Sequence, residues 1–364
     1  RLHVAGGVLI ANHDQALGVS RTGGLTNLLT LQNGTLQADG ANRAFDTPIA
    51  LSSGSTSTIS GDEWNLTLSG SITGSGSMIK SGTSNLVLSG TNTYTGNLAV
   101  NRGLLWIDST TSLPGWDTAG RYSVADGATL AVGNGILESQ VTAMLGTGNF
   151  TSGSSLAFDT TAGDRTHAAA ISGPIGLTKL GSGTLTLSGN SPYTGETVIL
   201  EGTLKLGHQF GIGTVGGHAK GFTLKNGAFD INGQSTYIGS WLLLSPITLA
   251  GDSGAELTIA GTGGGFGLHN NLLGNEGRII YDATNHPGTA TISAAFSTSG
   301  ASGDVRRYIV VGDSAATDVE IDFTGTLGQT GVSDGRNTTI QKEGPGTMRI
   351  SAANYFPRIE VAGG

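Results

Sequence analysis

The same phrase of Gly, Ser, Thr and Leu occurs twice in this chain at a fixed distance. The stretch "KSGTSNLVLSGTNTYTG" runs from Lys80 to Gly96, and "KLGSGTLTLSGNSPYTG" runs from Lys179 to Gly195, 99 residues later. Together with the eleven residues that follow each stretch, the two copies share 11 identities in 28 positions. Self-similarity of this kind predicts a repeat architecture, in which each copy forms one unit of a stack.

Apolar residues alternate within each copy in the pattern of a β-strand. Two leucines lie two positions apart, a glycine ends their strand, and a second apolar pair begins nineteen residues after the first. Each copy therefore predicts strand, turn, strand, turn and strand. The shared positions expected to shape these strands and turns are Lys80, Leu86, Leu88, Gly90, Tyr94, Gly96, Gly103 and Leu105 in the first copy, and Lys179, Leu185, Leu187, Gly189, Tyr193, Gly195, Gly202 and Leu204 in the second.

Two weaker copies extend the repeat toward both ends of the sequence. One begins at Lys342, with Met348 and Ile350 in the two leucine positions, and a half copy occupies the first residues. We therefore expect one continuous β-helix segment over residues 1–364. The repeat motifs are expected near residues 1–11, 78–107, 177–206 and 338–364.

The stretch between the second and third copies, residues 208–337, is predicted to be rich in insertions. Two interpretations are open: loops that line one face, or extra rungs with irregular turns. The glycine-rich residues 260–278, together with Trp241, are the candidate binding or subunit-contact surface under the first interpretation.

Strands about nineteen residues apart, all with the same turns, predict a parallel β-helix in which aligned apolar side chains form one core. Glycine is expected at the corners because it tolerates the positive φ of sharp turns. The competing arrangement, two or three antiparallel sandwiches, does not predict a fixed internal register. Only residues 137–145 have helical spacing, with Leu137, Val141, Met144 and Leu145 on one face. The expected fold class is therefore an all-β solenoid.

Charge and composition exclude several classes of partner. The formal net charge is −8 and no Lys/Arg cluster occurs, which argues against nucleic acid and anionic membrane surfaces. The chain has no cysteine, and no apolar run approaches membrane-spanning length. We predict no nucleic-acid partner and no membrane span within this segment.

The phrase K-x-G-x-G-T-L-x-L-S-G-x-x-x-Y-T-G, followed by G-x-L, resembles the autotransporter-associated β-strand repeat, also called the passenger-associated transport repeat. The resemblance implies a right-handed parallel β-helix displayed outside a Gram-negative bacterium, with adhesive, aggregative or scaffold roles and no catalytic residues. It predicts a non-catalytic structural or adhesive surface protein, an elongated stalk or fibre building block of an exported passenger. The alternative is a β-helix polysaccharide-degrading enzyme, a lyase or glycosidase, which needs carboxylates gathered on one face.

The recurring Tyr and Lys residues are interpreted as structural. Tyr94 and Tyr193 are expected to lie over the corner of the adjacent rung rather than to serve as carbohydrate-stacking platforms. Lys80, Lys179 and Lys342 are expected to be stacked, solvated side chains that discourage strand-edge pairing.

The sequence gives little support for a catalytic or a metal-binding site. The tetrapeptide "GDSG" places Ser253 as a would-be nucleophile and His167 as a would-be base, but no companion motif surrounds an aspartate. The histidines lack the spacing of a zinc site. We therefore predict no catalytic residue, no cofactor and no metal. The acidic residues that a polysaccharide-degrading enzyme would have to gather are scattered without a shared offset: Asp62, Glu63, Asp159, Asp230 and Asp304.

The two ends of the sequence resemble each other. "RLHVAGG" from Arg1 and "RIEVAGG" from Arg358 share five identities in seven positions, and both fall inside the repeat. The open edges of a β-helix pair readily with further strands. We therefore expect end-to-end self-association or covalent continuation in a longer array, and further partners among host or cell-surface glycans or proteins.

Overall fold

The computed structural model of the protein describes residues 1–18, 28–215, 218–219, 221–238, 247–253, 255, 257–261, 265–269, 278–285, 287–299, 305–328, 338–356 and 358–363. Short strands that pair in parallel make up nearly all of its regular structure. The predicted all-β parallel β-helix is confirmed, and the antiparallel sandwiches are wrong. Among these residues there is no helix with the length and apolar character needed to cross a bilayer.

The first of two compact units comprises residues Arg1–Asp159. Its strands form three sheets, because the chain turns a corner after each short strand and returns to pair with the strand one rung before. The sheets contain, in spatial order, Leu2–Ala5, Leu29–Gln32, Ile49–Leu51 and Ile72–Gly74; then Val8–Ala11, Thr35–Ala38, Thr56–Ser60, Ser77–Ser81, Leu98–Val100 and Tyr122–Val124; then Arg43–Phe45, Leu66–Leu68, Asn85–Leu88, Gly103–Ile107, Ala128–Val132 and Ser155–Asp159.

The second unit comprises residues Thr160–Gly364 and also has three sheets. Within its described part, only the short pair Thr214–Val215 and His218–Ala219 runs antiparallel. The sheets contain Gly176–Leu180, Thr197–Ile199, Phe222–Leu224, Ile247–Leu249, Arg278–Tyr281, Val305–Val311, Thr338–Glu343 and Arg358–Ala362; then Arg165–His167, Thr184–Leu187, Thr203–Leu206, Gly227–Asp230, Leu257–Ala260, Ala290–Ile292, Ile321–Phe323 and Met348–Ile350; then Thr214–Val215, His218–Ala219, Ser235–Ile238, Gly265–His269 and Ala295–Ser299.

The core of each unit consists of inward-facing side chains stacked rung upon rung. In the first copy Leu86 pairs with Leu105, and in the second Leu185 pairs with Leu204, as the nineteen-residue spacing predicts. In-register parallel strands lie about 4.8 Å apart, so identical apolar residues on successive rungs contact one another directly. Two such buried ranks are Phe45, Leu68, Leu88, Ile107, Val132 and Phe158 in the first unit, and Leu185, Leu204, Phe229, Ile259, Ile292 and Phe323 in the second.

Apart from Thr214–Val215, the described strands within residues 208–337 pair in parallel as rungs of the stack. Leu204 pairs with Phe229, 25 residues later, and Ile259 pairs with Ile292, 33 residues later, so these rungs are longer than those of the repeat. Strand Gly265–His269 belongs to the third sheet, which makes this part of the candidate surface at residues 260–278 a rung rather than a loop. Trp241 lies outside the described residues.

The predicted helical segment forms the α-helix Glu138–Gly146, and Thr110–Ser112 forms a single 3₁₀ turn. Val141 and Met144 are buried, as the spacing predicts. Leu137 is not on that buried face: it is the N-cap residue with an extended backbone, and 62% of it is exposed. The helix begins one residue later than expected because the Gln140 side chain accepts a hydrogen bond from the Leu137 backbone N–H at 2.8 Å, which closes the first turn.

Candidate functional site

The lysine of the first repeat copy points into the protein. Lys80 is 1% exposed, and its Nζ donates to the carbonyl oxygens of Ser81 at 2.8 Å, Gly82 at 2.7 Å and Arg102 at 3.1 Å. The first carbonyl belongs to the last residue of its own strand, the second to the turn that follows, and the third to the next rung. The ammonium therefore joins the turns of two consecutive rungs.

The second copy builds the same contact. Lys179 is 0% exposed, and its Nζ donates to the carbonyl oxygens of Leu180 at 2.9 Å, Gly181 at 2.6 Å and Glu201 at 3.0 Å. Each of these three acceptors lies 99 residues after its counterpart in the first copy. We call this arrangement of one lysine Nζ and three corner carbonyls the lysine clamp.

The expectation that the lysines are solvated is wrong. Lys342 is also buried, and its Nζ donates to the Gly344 carbonyl oxygen. An ammonium group has three donors and no acceptor, so a corner that turns three carbonyls inward satisfies it completely. A buried charge without such partners would cost several kcal/mol. Burial lowers the pKa of Lys80 to about 8, and the carboxylate of Asp62 opposes this shift.

Glycine is required beside each clamp for two reasons. Gly103 and Gly202 directly follow Arg102 and Glu201, whose carbonyl oxygens are the third acceptors of the two clamps. Their φ angles are +66° and +70°. A Cβ at Gly202 would also lie 2.4 Å from the Gly181 carbonyl oxygen. A side chain at these positions would strain the backbone and collide with the preceding turn.

Four other shared glycines, Gly90, Gly96, Gly189 and Gly195, are needed for space rather than for a positive φ, which corrects the expectation for these corners. A Cβ at Gly90 would lie 2.3 Å from the Gly70 carbonyl oxygen, and one at Gly189 would lie 2.5 Å from that of Ala169. At Gly96 and Gly195 the closest backbone atoms would be at 2.0 Å and 2.3 Å. The backbones of adjacent rungs approach too closely at these points for any side chain.

The shared tyrosines are buried inside the corner. Tyr193 is 0% exposed, its hydroxyl lies 2.6 Å from Thr197 Oγ1, and burial raises its pKa to about 12. Its ring packs against Gly213 of the next rung, where a Cβ would lie 2.8 Å from the ring Cδ2. Tyr94 is equally buried, and burial raises its pKa as well. The corner-covering interpretation is confirmed for Tyr193, and a stacking platform for carbohydrate is wrong because neither ring has an exposed face.

Sequence reasoning missed one buried polar position in each copy. Asn92 Oδ1 accepts from the Ile72 backbone N–H at 2.8 Å, and Asn92 Nδ2 donates to the Ser112 carbonyl oxygen at 2.8 Å. Asn92 thus connects the rung before it to the rung after it. In the second copy Ser191 Oγ accepts from the Ile171 backbone N–H at 3.3 Å. The only sequence signal was a short polar side chain two residues after the shared Ser-Gly.

The structure does not bring the would-be catalytic residues together. Ser253 lines a surface cavity of about 460 Å³ whose described lining contains no histidine, whereas His167 is buried in the core. Asp159 accepts a hydrogen bond from Trp106 Nε1 at 2.8 Å, and Asp230 pairs with Lys205 at 3.7 Å. Asp304 lies outside the described residues. Where the structure is described, no three His, Asp or Glu side chains gather as metal ligands.

A known family model matches the two stretches that carry the complete lysine clamps. The family model for the passenger-associated-transport-repeat matches residues 78–107 and 177–206, the same bounds that the sequence analysis assigns to its two clearest copies. No curated protein and no solved structure matches the chain. The two stretches that carry the complete lysine clamps therefore match the passenger-associated-transport-repeat.

Proposed function

We propose that this chain is a non-catalytic structural segment of a surface-displayed passenger, which acts as a stalk or fibre building block and presents its sheet faces for adhesion. One observation carries the proposal: the residues that the repeat holds constant serve internal stacking. Lys80 and Lys179 each bind three backbone carbonyls, and Tyr193 packs beneath the next rung. The repeat family implies export to the cell surface or the medium.

End-to-end association is part of the proposal. In the described structure, strand Leu2–Ala5 pairs only with Leu29–Gln32, and strand Arg358–Ala362 pairs only with Thr338–Glu343. The unpaired edge of such a strand can accept a further rung from a second copy or from a continuing chain. Sedimentation of the purified chain over a wide concentration range tests self-association. A monomer at every concentration would contradict it.

Display at the surface is tested with antibodies against this chain on intact cells that express it. We expect labelling that protease treatment of the intact cells removes, and weaker cell aggregation or surface attachment when the gene is deleted. Signal confined to the cytoplasmic fraction would contradict the proposal. Release of reducing sugar from a polysaccharide by the purified chain would contradict its non-catalytic part and favour the lyase or glycosidase alternative.

A further inference from the structure

A groove runs across the second sheet of the second unit. We propose that it binds a neutral oligosaccharide. The inference rests on the adhesive role proposed above and names the ligand class for it. We call this feature the hydroxyl groove; its volume is about 470 Å³, within the range of small-ligand sites. Its lining consists of Asp164, Arg165, Thr166, Thr184, Thr186, Thr203, Lys205 and Asp230.

Two ranks of side chains form the walls of the hydroxyl groove. Thr186 pairs with Lys205 in one rank, and Thr184 pairs with Thr203 in the other, on strands held in parallel register. The residues between the ranks, Leu185 and Leu204, point into the core. Because alternate side chains of a strand face opposite sides, the backbone forms the floor and the two ranks stand on either side of it.

The chemistry of the walls suits a ligand rich in hydroxyl groups. Threonine hydroxyls both donate and accept, carboxylates accept, and Lys and Arg donate. Asp164, Asp230 and Lys205 are the charged groups of the walls, since Arg165 is in register with the inward-facing Leu185. Lys205 Nζ lies 3.7 Å from Asp230 Oδ2 and pairs with it. A polyanion would meet two carboxylates at close range, which disfavours it.

The floor of the groove also disfavours a peptide. Strand Thr184–Leu187 pairs with Arg165–His167 on one side and with Thr203–Leu206 on the other. An extended peptide binds a sheet through a free strand edge. Arg165–His167 is the end strand of the described sheet, but the other strands that line the groove, Thr184–Leu187, Thr203–Leu206 and Gly227–Asp230, have neighbours on both sides. A neutral oligosaccharide needs only side-chain hydrogen bonds across the face.

The described lining contains no aromatic ring, so sugar stacking does not contribute. Hydrogen bonds to neutral groups alone give weak affinity, and we expect a Kd on the order of 1 mM. Many copies displayed on one cell would convert weak single contacts into strong adhesion.

The experiment titrates the full chain with maltohexaose, chitohexaose and a hyaluronan hexasaccharide, observed by saturation-transfer NMR. The double variant Thr186→Val/Thr203→Val removes two wall hydroxyls and keeps their branched shape. The matched control is Thr67→Val, an outward position on a sheet of the first unit, between Ala44 and Val87. Thermal melts of all variants report whether the fold is intact.

We expect at least one neutral hexasaccharide to bind, the double variant to weaken it about tenfold, and the control to leave it unchanged. Ala228→Trp adds bulk at a position in register with Thr203 and is expected to abolish binding. It provides the test if the valine variant folds poorly. Absence of binding to both neutral probes, equal binding of hyaluronan, or full binding by the variants would overturn the inference. Surface labelling that persists in that case would leave the structural role standing.

Discussion

Two corners of the second unit lie in the same rank of one sheet and are closed differently. Register carries Lys179 through Ile199, Leu224 and Leu249 to Tyr281. Lys179 Nζ donates to the carbonyl oxygens of Leu180 and Gly181 beside its own short corner and of Glu201 on the next rung. The Tyr281 hydroxyl shares its one proton between the carbonyl oxygens of Pro287 at 2.7 Å and Gly288 at 3.0 Å.

The difference follows from the length of the turn. Three residues separate strand Gly176–Leu180 from the next strand, whereas eight separate Arg278–Tyr281 from Ala290–Ile292. At a short corner the carbonyl oxygens lie close together, so the ammonium group of one lysine, with its three donors, can reach them. A longer corner leaves room for a ring, and its one hydroxyl proton is enough because Ser314 Oγ also donates to the Pro287 carbonyl oxygen at 2.9 Å. At these two corners the inward-turned carbonyls have an internal donor, and the type of donor changes with the length of the turn.

The largest expected effect comes from Lys179→Met. The variant keeps the length of the side chain but leaves three buried carbonyls without their charged donor, so we expect a loss of about 3 kcal/mol in unfolding free energy. Chemical denaturation measures it. The control Lys225→Met alters a partly exposed lysine at the edge of a surface cavity and is expected to change stability by less than about 0.5 kcal/mol. Equal stability of the two variants would contradict the claim that the contacts of Lys179 stabilise the fold.

A smaller effect is expected from Tyr281→Phe. The variant removes one neutral donor, so the expected loss is about 1 kcal/mol. The matched control is Tyr355→Phe, because 52% of that residue is exposed. If Tyr281→Phe destabilises the protein as much as Lys179→Met does, turn length does not decide which donor matters.

The two repeat tyrosines differ in the hydrogen bonding of their hydroxyl groups, so their variants are expected to differ in stability. Tyr193→Phe removes the contact with Thr197 Oγ1 and is expected to cost somewhat less than 1 kcal/mol. The Tyr94 hydroxyl has no hydrogen-bond partner within the described structure, so Tyr94→Phe is expected to be neutral or stabilising. Thermal melts of the two variants side by side test this order, and a larger loss at Tyr94 would reverse it.

A pH dependence is also expected at the first clamp. Burial lowers the folded-state pKa of Lys80 to about 8 from 10.5, so above pH 8 the unfolded chain holds a proton that the folded chain has released. By linkage, wild type gains stability relative to Lys80→Met as pH rises from about 8 to 10.5. Denaturation midpoints of both proteins across this window measure the difference. A falling difference would show that the three carbonyls outweigh burial and hold the proton.

Particular residues show how far the sequence could predict this structure. The pairing of Leu86 with Leu105 was predictable because one spacing recurs in both copies. The inward direction of Lys80 was also encoded, since it lies two positions after the buried Met78, but a charged residue is ordinarily assigned to the solvent side. The equivalence of Lys179 and Tyr281 was not predictable, because the spacing between rungs varies along residues 208–337 and hides the register.

Amine labelling of the folded protein tests the central claim most directly. The claim is that the recurring lysines are internal donors to corner carbonyls. Brief acetylation at neutral pH, followed by peptide mass spectrometry, should modify Lys205 and Lys225 while Lys80 and Lys179 react only after unfolding. Labelling of Lys80 and Lys179 in the folded protein at the rate of Lys205 would contradict the account, because their ammonium groups would then be in water.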